Sequence, residues 1–124
     1  MNFPKLTRKI TGEKMMRYSG KSGIHGNDAD ARQLGLGGAI VQGGQLAGYL
    51  NEMLTETFGR GYIEGGEISM SFVKSAKAND VVTTHGQAGE SSVVDGRTHV
   101  DCEVWLENQS GEKLVVGKAS AYID

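Results

Sequence analysis

A chain of 124 residues with 38% hydrophobic content is sized for a single domain, residues 1–124, built on one core. Thirteen Lys and Arg against fifteen Asp and Glu give a formal charge of −2, and no Lys/Arg cluster exists, which argues against a nucleic-acid partner. One cysteine excludes an intrachain disulfide, no apolar run nears the ~20 residues of a membrane span, and Met1-Asn2-Phe3-Pro4 begins no signal peptide, so a cytoplasmic protein without membrane contact is expected.

Residues 1–10 read as a short arm with some strand character. Thr11 is a natural N-cap for a brief helix running to Tyr18, with Glu13 in the favoured first turn. Ser19-Gly20-Lys21-Ser22-Gly23 disfavours both helix and strand, and this loop delivers the chain to His25. Asp28 to Leu34 reads as a helical turn closed by Gly35, followed by irregular backbone through Gly38. The longest helical signal runs from Gly44 to Phe58, where Leu46, Tyr49, Leu50, Met53, Leu54 and Phe58 recur at spacings of three and four; Gly59-Arg60-Gly61 is expected to end it.

Strands are predicted beyond that point. Glu67 to Val73 alternates, Asn79-Asp80 turns the chain, and Val81 to Ala88 follows. Asp95-Gly96 is a hairpin signal before Arg97 to Glu107, which sets Val100, Cys102, Val104 and Leu106 on one face. Asn108 to Gly111 turns into a last strand, Lys113 to Ile123. One long helix and about four antiparallel strands make an α+β domain whose helix covers one sheet face. Glycine, 19 of 124 residues against a usual ~7%, fits either many tight turns or a surface completed by a partner chain.

Chemistry concentrates between residues 25 and 44. His25 is a titratable base, and Gly43-Gly44 opens the long helix without a Ser, Thr, Asp or Asn cap, which leaves backbone N–H groups for a ligand oxygen. The plainer alternatives are a histidine that only braces its loop and a glycine pair that only allows close packing. Asp28 and Asp30 stand near enough in sequence to orient the imidazole, or else they serve the dipole of a short helix. His85 and His99 have no Cys or second His at ligand spacing, so no metal site is expected. Met15, Met16, Met53 and Met70 read as core filler, Cys102 as an inert core thiol, and Trp105 as a residue at a subunit contact.

The order Ile24-His25, Ala29, Ala31, Ile40-Val41-Gln42-Gly43, with Gly66-Glu67-Ile68-Ser69-Met70-Ser71-Phe72 after the helix, resembles the MaoC-like hydratases of the hotdog fold, the group that includes (R)-specific enoyl-CoA hydratases. The likeness spans roughly residues 11–124. It implies a long central helix wrapped by a curved antiparallel sheet. It also implies a hydro-lyase acting on an enoyl or 3-hydroxyacyl thioester or a related carbonyl substrate. In that family a histidine and an aspartate five residues before it hold the reacting water, and the glycine at the helix start supplies an N–H to the thioester oxygen.

Carried over, His25 moves the proton and Gly43 holds the oxyanion, with Asp28 and Asp30 as candidate acids. Gly20 stands where the aspartate belongs, Ser22-Gly23 where Asn-Pro is usual, and Gln42 where a histidine is common. Gly20, Gln42, Gly44 and Asn51 are candidate substrate contacts. The resemblance implies no cofactor beyond the coenzyme A or acyl carrier that bears the substrate. It further implies a homodimer with its sites at the subunit interface, while leaving higher oligomers open.

Gln42-Gly43-Gly44-Gln45-Leu46-Ala47 also resembles the helix start of phenylacetyl-CoA-type hotdog thioesterases, with Asn51 at the expected aspartate and Glu52 and Glu56 as the other helix carboxylates. An acyl-CoA thioesterase is therefore one alternative. A non-catalytic hotdog protein binding an acyl group or small ligand is another.

Overall fold

In a computed structural model that describes residues 1–123, the sixteen-residue helix α3 (Gly43–Phe58) packs on one face of a five-stranded antiparallel sheet. Ahead of it come β1 (Thr7–Lys9), α1 (Gly12–Ser19) and α2 (Asp28–Gln33). After it come α4 (Arg60–Ile63), β2 (Glu67–Phe72), β3 (Val81–Val94), β4 (Arg97–Glu107) and β5 (Lys113–Ile123). The sheet order is β1-β3-β4-β5-β2, so β1 and β2 are its edges. This is the α+β arrangement the alternation of strands predicts.

The apolar stripe of α3 makes the core. Leu46, Leu50, Met53 and Leu54 are buried against Val82, Cys102, Val104, Leu106, Leu114 and Val115 of the sheet. Fully burying one such side chain stabilises the fold by about 1.5–3 kcal/mol, so this contact is the main apolar contribution. The amino-terminal arm is tied down as well. Thr84 Oγ1 accepts from the Leu6 N–H at 2.8 Å and donates to the Pro4 carbonyl at 3.1 Å, while the Phe3 ring fills the space a Cβ at Gly86 would need.

Two elements differ from expectation. β3 continues six residues past Ala88 although Gly89 to Val94 are exposed, because the β4 ladder resumes after a bulge between Ala88 and Ser91 and the Asp95-Gly96 turn, both residues at positive φ, closes it. Gly59, at φ 58°, does end α3, but the chain then re-enters a helical turn, with Tyr62 and Ile63 N–H groups bonded to the Gly59 carbonyl. Gly61 serves close approach rather than termination: a Cβ there would lie 1.8 Å from the Tyr122 carbonyl oxygen. Among the described residues no helix is long and apolar enough to cross a membrane.

Candidate functional site at the start of the long helix

His25 lies in the loop between α1 and α2, half-buried. Its Nδ1 is 2.9 Å from the carbonyl oxygen of Ile40, and a carbonyl only accepts, so Nδ1 carries the proton. In the neutral ring Nε2 is then an unprotonated acceptor. The Ile40 N–H donates to the Ile24 carbonyl at 2.9 Å, so the strand-like segment entering α3 is stitched to the residue beside His25. That double link sets the imidazole next to the helix start: His25, Ile40, Gly43, Phe72 and Lys74 line one cavity of about 470 Å³.

The first turn of α3 has no side-chain cap. The Gln45 and Leu46 N–H groups return to the Gln42 carbonyl at 3.0 and 3.3 Å, which leaves the Gly43 and Gly44 N–H groups at the helix mouth. The two glycines admit aromatic groups from different elements. A methyl at Gly43 would lie 3.2 Å from the Phe72 ring, and one at Gly44 would lie 2.5 Å from the Tyr18 hydroxyl oxygen.

The other candidates fall into distinct places. Asp28 lines a second, smaller cavity of about 170 Å³ with His25, Met15 and Met16, but its Oδ1 accepts from the Ala39 N–H at 2.8 Å. Asp30 Oδ2 accepts from the Gly23 N–H at 2.7 Å. Both carboxylates therefore brace the two loops that flank His25. Gln42 is the N-cap residue of α3, and its Oε1 accepts from Ser19 Oγ at 2.9 Å, joining the end of α1 to the start of α3.

Gly20 caps α1, donating its N–H to Met16 at 2.7 Å, with φ 88° and ψ −179°. Its carbonyl oxygen stands 1.8 Å from where a Cβ of Gly26 would be, so the Gly20 backbone lies directly beside the His25 loop. Asn51 is not brought to the helix mouth. Its Oδ1 accepts a hydrogen bond from the Tyr62 hydroxyl of α4. Lys74 is among the cations the sequence offers for an acidic carrier such as coenzyme A, whereas Phe72 beside Gly43 and Tyr18 beside Gly44 were not read as site residues, since only the docking of β2 and α1 onto α3 puts them there.

His85 stacks on Trp105 with rings 5.3 Å apart, its Nε2 3.2 Å from Glu107, on the sheet face away from α3. Met15 and Met53 are buried in the core, whereas Met16 is exposed. Cys102 is buried with Sγ 3.5 Å from the Ala119 carbonyl, and burial, reinforced by the Asp101 charge, pushes its thiol up to about 11.

No family model and no curated protein matches this sequence. Solved structures do match. A MaoC-like dehydratase from Rhodospirillum rubrum superposes with a TM-score of 0.81 at 16% identity, over 98% of this chain and 88% of that one. An (R)-hydratase from A. caviae involved in PHA biosynthesis gives 0.79 at 17%, over 99% and 95%. The ChsH1-ChsH2 complex from Mycobacterium tuberculosis gives 0.79 at 17%, over 98% and 94%. The chain has the hotdog fold, in the form shared by MaoC-like dehydratases and (R)-hydratases.

Proposed function

We propose that this protein is a MaoC-like hydratase/dehydratase acting on an enoyl or 3-hydroxyacyl thioester, with His25 as the proton-transfer group and the Gly43 N–H as the oxyanion donor. The observation that carries this reading is that an imidazole of fixed tautomer and an uncapped helix start line one cavity. Fold-level similarity to dehydratases and (R)-hydratases supports it.

The step balances with water as the only co-reactant. Nε2 of His25 takes a proton from water as the water oxygen bonds to C3 of the enoyl group. The C2=C3 π pair moves toward the thioester carbonyl, whose developing negative charge is met by the backbone N–H groups at the helix mouth. His25 then returns the proton to C2. Preorganised N–H donors contribute about 3 kcal/mol to such a transition state, and the acid/base group typically ~10²- to 10⁴-fold in rate.

Hydrolysis of the thioester fits less well. The helix carboxylates it would use lie elsewhere: Glu52 pairs with Arg8 at 3.1 Å, and neither Glu52 nor Glu56 lines the His25 cavity. The chain would act without metal or organic cofactor, the coenzyme A or acyl carrier entering as part of the substrate. A homodimer is proposed, with each cavity closed by a second copy. Phe72, at the cavity rim, and Val73 are half-exposed at the end of edge strand β2.

Incubation with crotonyl-CoA, following enoyl absorbance and free thiol together, tests the activity. Loss of absorbance without thiol release is expected. Thiol release alone would make the protein a thioesterase, and silence in both with ligand-dependent thermal stabilisation would make it a binding protein.

A further inference from the structure

Resting on the hydratase reading, we infer that the smaller cavity at His25 is the acyl-tail site, which fits the protein to uncharged enoyl chains of about four to eight carbons. His25 is common to two cavities. The larger, about 470 Å³, also holds Gly43, and the smaller, about 170 Å³, also holds Met15, Met16, Asp28, Ala39 and Ala78. A linear substrate whose reacting carbons lie at His25 has a chain to place on each side, and the two cavities offer one place for each.

The walls of the smaller cavity are bonded to one another. The Asn79 N–H donates to the Ile10 carbonyl at 2.6 Å, which holds the turn carrying Ala78 against the start of α1. The Val41 N–H donates to the Ala76 carbonyl at 2.8 Å, which ties the same stretch to the segment entering α3. Met15 is buried and backs the cavity, while Met16 and Ala78 are exposed at its rim. Methionine and alanine give an alkyl chain apolar surface with no polar group to desolvate. Asp28 is the one carboxylate lining it among the described residues; its Oδ1 is held by the Ala39 N–H, and its charge opposes a tail that ends in a carboxylate.

The shape of the substrate assigns the two sides. An enoyl thioester is conjugated and flat, and in the trans isomer C1 and C4 lie at opposite ends of the C2=C3 bond. With the thioester oxygen on the Gly43 N–H in the larger cavity and the water of His25 at C3, the chain beyond C3 runs past the imidazole and away from Gly43. The carrier arm, which must reach solvent, takes the larger opening. At roughly 30 Å³ for each methylene-sized group, the smaller cavity takes about five carbons, C4 to C8. Carbons beyond these stay in water and add no binding.

The test is steady-state hydration of a trans-2-enoyl-CoA series from four to about twelve carbons by the parent, Ala78→Leu and Met16→Ala, each with a thermal melt. In the parent, kcat/KM is expected to rise about twofold to fourfold per methylene and to level near eight carbons. Ala78→Leu puts a larger side chain at an exposed turn position that rims the cavity, so its melt is expected to be unchanged while the ratio of octenoyl to crotonyl kcat/KM falls about tenfold. Met16→Ala removes a wall and is expected to shrink the gain per methylene. A flat chain-length profile, or a ratio that neither variant alters, overturns the inference and leaves the hydratase reading standing. A parent that hydrates none of the series overturns both.

Discussion

The tautomer of His25 depends on one acceptor, the Ile40 carbonyl, and that carbonyl belongs to the segment leading into α3. The residue that binds the proton is thus oriented by the backbone that presents the oxyanion donors. At position 20 the backbone itself decides the chemistry. A φ of 88° with ψ near 180° is a conformation essentially reserved for glycine, so a carboxylate at that position is not compatible with this loop. Gly20→Asp is expected to lower stability by about 1–3 kcal/mol without raising hydration. Urea unfolding and the enoyl assay check both parts, and a more active, equally stable variant would refute the explanation.

Cys102 makes a residue-scale prediction of its own. Its thiol titrates near 9.0 in an unfolded chain and about 11 when folded, so between those values the folded state keeps a proton that the unfolded state has lost. The stability this contributes is present below pH 9 and disappears as pH rises toward 11. Tyr62, also raised chiefly by burial, acts in the same direction at higher pH. Melting curves of the parent and Cys102→Ala across that range are expected to show a shallower alkaline decline in the variant; identical slopes would exclude the thiol as the cause.

At the scale of elements, β4 and α3 were legible because each carries one unbroken period: Val100, Cys102, Val104 and Leu106 face the core, as do Leu46, Leu50, Met53 and Leu54. The tail of β3 was not, since Gly89 to Val94 have both faces exposed and are ordered by pairing with β4, a relation that no local pattern encodes. The same distinction divides the site. His25 and the glycine-opened helix lie close in sequence and could be read together, whereas Phe72 and Tyr18 arrive through the packing of two other elements onto Gly43 and Gly44.

Helix α3 also contains one polar anomaly. Gln45, in its first turn, is buried with its side-chain oxygen lacking a hydrogen-bond partner among the described residues. An unsatisfied buried acceptor costs about 1–3 kcal/mol, so Gln45→Met, similar in shape and without that oxygen, is expected to stabilise the isolated chain by about 1 kcal/mol. Leu50→Ala, fully buried in the same helix, is expected to destabilise by about 2–5 kcal/mol. Urea midpoints decide both, and a destabilised Gln45→Met would mean that a donor reaches the oxygen in solution.

For the whole molecule, the sheet presents β2 as an open edge ending in half-exposed Phe72 and Val73 beside the cavity rim. Unpaired strand edges with apolar ends are normally covered, which supports the proposal that a second copy completes the site. Sedimentation is expected to give twice the 13.2 kDa of the chain. Phe72→Glu is expected to shift that value toward the monomer and to lower hydration with it; a monomeric parent with full activity would exclude the interface. What joins every scale is one convergence, the imidazole of His25 and the amide groups opening α3 acting on one thioester. Its most direct measurement is kcat for crotonyl-CoA hydration by His25→Ala beside the parent. A fall of about 10²- to 10⁴-fold with an unchanged thermal melt is predicted, and hydration at the parent rate would contradict the account.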